Sequence, residues 1–113
     1  MYSMYILYFM TNKRLRQIEK RIEQIKAELA RLDALRPGSL TRQFKDPKRH
    51  LGAYYQLSYT WQMKSRTDYI ARAFLPEVRR QIGAYKRLKA LTTEWIALGI
   101  EHGRLAVTLA REP

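Results

Sequence analysis

The chain has 113 residues, a length that suits one domain. Lys and Arg number 22 against 10 Asp and Glu, a net charge of +12, and 46% of residues are apolar, which sets the chain apart from disordered sequences. There is no cysteine, so disulfides, thiolate metal sites, iron–sulfur clusters and cysteine nucleophiles are excluded together; the composition fits a reducing, cytoplasmic setting.

Residues 1–10, MYSMYILYFM, carry no charge. They are too few to span a bilayer, which takes about 20 apolar residues. They also lack the basic start and small-residue cleavage site of a signal peptide. Met10 precedes TNKRLRQ, which itself reads like a beginning, so residues 1–10 are either a mis-set start or an apolar extension of the next helix.

A helix is expected over 13–35. Leu15, Ile18, Ile22, Ile25, Leu29 and Leu32 step by threes and fours, an a/d stripe. Thr11 or Asn12 is the expected N-cap, and Pro37 with Gly38 ends the helix. Residues 39–52, SLTRQFKDPKRHLG, read as a basic loop tacked down by Leu40 and Phe44.

The period changes at 54–63. Tyr55, Leu57, Tyr59, Trp61 and Met63 alternate with Tyr54, Gln56, Ser58, Thr60 and Gln62, the pattern of a half-buried strand. Residues 66–72 are expected to return as a second strand, with 62 opposite 66 across a Met63-Lys64-Ser65 loop. That register puts Tyr69 on the covered face and Arg66 and Arg72 on the polar face. Leu75 and Pro76 open a second helix over 76–110, with Glu77 near its positive end. Gly83, Gly99 and Gly103 weaken that helix by about 1 kcal/mol each relative to Ala.

The expected fold is therefore α+β and mostly α. It is a single domain over 1–113, with two long antiparallel helices joined by a basic loop and a two-stranded β-hairpin over 36–72. Such a unit leaves Trp95, Leu98, Leu105 and Leu109 poorly covered unless the apolar start folds over them. These four are the candidate oligomer or partner interface.

Enzyme constellations are scarce. His50 and His102 are the only histidines, and neither has metal ligands at suitable spacing. No Gly-rich phosphate loop is present, and no Ser or Tyr has an identifiable base and orienting group. No catalytic residue, metal or cofactor is assigned. The charge is the main functional signal. Residues 12–50 hold 12 Lys and Arg against five Asp and Glu, and 51–72 hold three against one. Such a field attracts phosphate backbones and releases their counterions. Arg42, Lys45, Lys48, Arg49, Lys64, Arg66 and Arg72 are the candidate nucleic-acid contacts. Helix 1, through Lys13, Arg14, Lys20 and Arg21, ranks second because Glu19 and Glu23 share its surface. The alternative is a coiled-coil module that binds an acidic protein or itself. No membrane partner is expected.

Several short motifs follow in a familiar order: Gly38-Ser39-Leu40, Gly52, Tyr54-Tyr55-Gln56-Leu57-Ser58, Lys64-Ser65, Tyr69-Ile70, Leu75-Pro76-Glu77-Val78-Arg79 and Tyr85-Lys86-Arg87-Leu88. The chain resembles a prokaryotic domain family of unknown function, small basic proteins often encoded near transposases. Many members of that family carry a cysteine-rich stretch where this chain has Gln43–His50, so a metal or redox role implied for them does not extend to it. The resemblance implies a mobile-element or defence context and carries no catalytic residues.

Overall fold

The computed structural model describes residues 3–111. Helix α1 spans Met4–Ala30, strands β1, β2 and β3 span Ser39–Asp46, Leu51–Trp61 and Lys64–Ile70, a 3-10 turn covers Arg72–Phe74, and helix α2 spans Leu75–Arg111. The chain divides into two compact units. One is α1 with the part of α2 from Lys89 onward, and the other is Leu32–Leu88.

In the helical unit, Ile18 and Ile25 of α1 and Leu91 of α2 are fully buried. Two ion pairs fix the direction. Arg14 donates to both carboxylate oxygens of Glu101 at 2.6 and 2.9 Å, and Arg21 to both of Glu94 at 2.6 and 2.8 Å. Arg14 and Arg21 are one heptad apart, as are Glu94 and Glu101, and they meet in reverse order, so the two helices run antiparallel. Lys26 lies 5.9 Å from the Trp95 ring centre. Ser3 caps α1, its Oγ accepting from the Ile6 N–H at 3.2 Å. Thr11 and Asn12 are not the cap expected of them; their side chains donate back to the carbonyls of Leu7 and Tyr8 inside the helix. Met1 and Tyr2 of the apolar start lie outside the described residues, whereas Met4–Met10 are helical and exposed.

The helix expected to run to residue 35 ends at Ala30. The Arg36 N–H donates to the Gln81 carbonyl at 3.2 Å, and its guanidinium pairs with Asp68 at 2.6 Å. Those tertiary partners hold Arg36 in the irregular stretch 32–37, and a helix continued to residue 35 would forfeit them.

The second unit is a three-stranded antiparallel sheet in the order β1-β2-β3, with the start of α2 on one face. This overturns the expected two-stranded hairpin between two helices. The segment 39–52, read as a loop, supplies β1 and the first residues of β2. β1 is an edge strand, and only Leu40, Phe44 and Asp46 along it are partly covered. A strand with so few buried positions has no reason to show strong alternation. Gly38 admits it to the sheet. Its φ is +126°, and a Cβ there would lie 2.6 Å from the Ser58 carbonyl oxygen. At the other end of β1 the Asp46 carboxylate accepts the Arg49 N–H at 3.2 Å, and Phe44 stacks on His50 at 4.9 Å, closing a four-residue turn.

The second hairpin also differs from expectation. Trp61 pairs with Lys64 across a two-residue turn at Gln62 and Met63, both with positive φ of 51° and 65°. This is the twist-matched turn that usually carries Asn-Gly, and the chain reaches it without either residue. The resulting register places Ile70 opposite Tyr55, Asp68 opposite Leu57 and Arg66 opposite Tyr59. Relative to the expected pairing of 62 with 66, every β3 side chain changes face. Ile70 is buried and Tyr69 is exposed.

The sheet core is Leu57, Ile70, Leu75, Val78 and Ile82, with Leu40, Tyr55 and Tyr59 packed against it. Leu57 is fully buried at its centre. Leu57→Ala should cost about 2–5 kcal/mol, the usual range for a buried leucine, whereas the same change at exposed Leu51 should cost under about 1 kcal/mol. Urea unfolding of the two variants checks this.

The Arg14 hydrogen bonds hold the Glu101 carboxyl below its ordinary pKa. A lowered folded-state pKa contributes stability that is complete above the ordinary carboxylate range and fades as pH falls through the lowered value. Glu101→Gln should therefore remove part of the acid-side loss of thermal stability and leave the neutral-to-alkaline slope unchanged, read as Tm against pH.

Candidate nucleic-acid interface

Residues paired across an antiparallel sheet share a face. The face under α2 holds the rows Leu40–Leu57–Asp68 and Arg42–Tyr55–Ile70. The opposite face holds Ser39–Ser58–Thr67, Thr41–Gln56–Tyr69, Gln43–Tyr54 and Thr60–Ser65. It is made of hydroxyls, amides and two tyrosines, and Tyr69 is 71% exposed. Lys45 falls on this face by the alternation of β1. No Asp or Glu does: Asp68 is turned to the other side and paired with Arg36, and Asp46 is tied into its turn.

The seven candidate cations do not form one cluster. Lys48 and Arg49 sit in the β1–β2 turn, with Lys45 and Arg42 on the strand leading to it. Lys64 opens β3 beside the other turn, at the far end of β2, which is roughly 34 Å long at 3.4 Å per residue. Arg66 shares the α2 side of the sheet with Tyr59, not the polar face expected for it. Arg72 lies in the 3-10 turn after β3, beyond the strand itself. Arg42 stands over the Phe44 ring at 5.0 Å. Lys45, Lys48, Lys64, Arg66 and Arg72 make no ion pair among the described residues, whereas Arg49 stands 3.8 Å from Asp46.

Of the second-ranked cations on α1, Arg14 and Arg21 are engaged by Glu101 and Glu94. The expected interface residues Trp95, Leu98, Leu105 and Leu109 are half-buried. The exposed large apolar residues of that stretch are Ile96, Ile100 and Val107. His102 stands 3.8 Å from Glu19, and no group of three His, Asp or Glu among the described residues is placed to hold a metal ion.

Beside β1 a groove of about 680 Å³ opens between that strand and α2, lined among others by Arg42, Arg79 and Lys86. Arg79 and Lys86 carry no signal in the sequence, since i and i+7 cations on an amphipathic helix look like any solvated face. The alternation of β3 puts Tyr69 on the covered face if 62 pairs with 66. The apolar Ile70 beside it was the available signal, but the turn that selects between them has no Gly or Asn to mark it.

The profile of the domain of unknown function DUF6788 matches residues 15–80, more than half of the chain. The chain belongs to this family. No curated protein and no solved structure matches it. The DUF6788 match takes in α1 from Leu15, the whole sheet and the first turns of α2, and it stops short of Lys86. No helix among the described residues is long and apolar enough to cross a membrane.

Proposed function

We propose that this DUF6788 protein is a non-enzymatic binder of single-stranded nucleic acid that uses the open face of its sheet. The carrying observation is that face itself: Tyr69 and Tyr54 among Thr41, Gln43, Gln56, Ser58 and Thr67, free of carboxylates, with Lys45, Lys48 and Arg49 toward one end. An exposed aromatic ring on a sheet offers a stacking platform to any base, and amides and hydroxyls can reach base edges. A base must be unstacked to use such a platform, which favours single strands over duplex. The cations supply the backbone attraction, aided by the net charge of +12. The resemblance to small proteins encoded near transposases supports a setting in mobile-element or defence machinery.

Tyr69→Ala should weaken binding of a labelled oligothymidylate by about 1–3 kcal/mol, roughly five- to 150-fold, as truncation of one stacking ring does. Replacing Lys45, Lys48 and Arg49 together with Ala should lower the salt slope by about two, at roughly 0.7 per single-strand phosphate. Fluorescence anisotropy across a salt series measures both. Unchanged affinity in both variants would remove the sheet from the interface.

A second reading, self-association through the helical unit, is favoured by the seven consecutive exposed apolar residues Met4–Met10 and by Ile96, Ile100 and Val107. Contiguous exposed apolar surface of this kind usually marks an interface. Apolar pairing resists salt, so light scattering should give a mass above the monomer that persists at about 1 M salt. A monomer throughout ends this reading.

A further inference from the structure

The groove beside β1 is independent of the open sheet face. One wall is the stretch Gly38–Arg42, about 14 Å of backbone, and the other is α2. β1 is an outer strand, with β2 on one side and no strand on the other among the described residues. Alternate N–H and C=O groups of an outer strand point away from its neighbour and form a template for a further strand. The floor is apolar, from Leu40, Tyr55 and Ile82. On α2 the groove is kept open by Gly83, where a Cβ would meet nothing within 4 Å. Glycine in a helix interior costs stability relative to Ala, and no turn or close contact here demands it.

The charge of the groove selects its occupant. Arg42, Arg79 and Lys86 converge on it, and none makes an ion pair among the described residues. A second copy of β1 laid along the first would bring Arg42 and Lys45 against like charges, which disfavours self-pairing. A strand that carries carboxylates meets complementary charge. A peptide added to β1 would turn every second side chain toward the groove, where apolar residues meet Leu40 and Ile82 and acidic ones meet the cations.

We propose that this groove binds an extended acidic peptide segment of another protein, which adds to β1 as a fourth strand. Main-chain hydrogen bonds to the strand edge supply affinity, and the cations and apolar floor supply specificity. The site differs from the tyrosine face in residues and in the chemistry it takes.

The test uses the full chain and a fluorescein-labelled peptide in which Glu and Val take turns at every second position, with Ser or Thr between them. The parent peptide should bind. N-methylation of its alternate amides, which removes strand donors without altering charge, should weaken binding at least tenfold. Gly83→Phe fills the groove without demanding a new backbone conformation, and circular dichroism verifies its fold. It should weaken binding to a similar degree, as should Arg79→Glu combined with Lys86→Glu. Tyr69→Ala should leave peptide affinity unchanged, which separates this site from the sheet face. No binding of the parent peptide overturns the proposal, as does equal affinity for the N-methylated peptide or indifference to Gly83→Phe. If Gly83→Phe abolishes oligothymidylate binding and spares the peptide, the groove holds nucleic acid and the peptide reading fails.

Discussion

Leu57 sits at the middle of the middle strand, between Leu40 of β1 and Asp68 of β3, and under Val78 and Ile82 of α2. It is completely buried. A three-stranded sheet has only one strand with neighbours on both sides, and here the burial of that strand's central side chain organises the other two. Its position commits Tyr55 and Tyr59 to the same side and Tyr54, Gln56 and Ser58 to the other. The open face follows from that division. So does the placement of α2, whose buried residues Leu75, Val78 and Ile82 step by three and four to cover the same spot.

The turn at Gln62 and Met63 decides what β3 adds. Two residues held at positive φ are costly for side chains with a Cβ, about 1–2 kcal/mol each. The hairpin accepts that cost because the register it creates buries Ile70 and brings Asp68 within 2.6 Å of Arg36. The three-residue loop at Met63–Ser65, with 62 opposite 66, would turn Ile70 to the open face instead. Tyr69 reaches solvent as a consequence of burying its neighbour.

Charge is distributed differently in the two units. In the helical unit, Arg14 and Arg21 are consumed by Glu101 and Glu94 at heptad spacing, and they set helix direction. In the sheet unit, most cations make no ion pair among the described residues, and they divide among the two hairpin turns, the groove, the α2 side of β3 and the 3-10 turn. By sequence the sheet unit, residues 32–88, holds 12 Lys and Arg against four Asp and Glu, and the helical unit 10 against six, so the larger net positive charge lies on the sheet unit. The open face and the groove lie there too, one with aromatic rings and hydrogen-bonding groups, the other with a strand edge and an apolar floor.

The sequence by itself determined the features that repeat over short distances. The three-four stepping from Leu15 to Leu29 and from Val78 to Leu109 marks two helices, and the alternation from Tyr55 to Trp61 marks a strand. Membership of a domain family of unknown function was legible in the short motifs between Gly38 and Arg79. Only the tertiary structure decided the third strand, the end of α1 and the faces of β3. β1 buries too little to show a period, so its strand character comes from pairing with β2. After α1 the chain is irregular over 32–37, where Arg36 meets Gln81 and Asp68, partners remote in sequence. The face on which Tyr69 emerges depends on a turn whose residues carry no turn signature, and a shift of register reverses every side chain in the strand. Likewise Arg42, Arg79 and Lys86 become neighbours only when the outer strand lies beside α2. Periodicity reports what one element does with its own faces, whereas pairing, register and grooves are relations between elements.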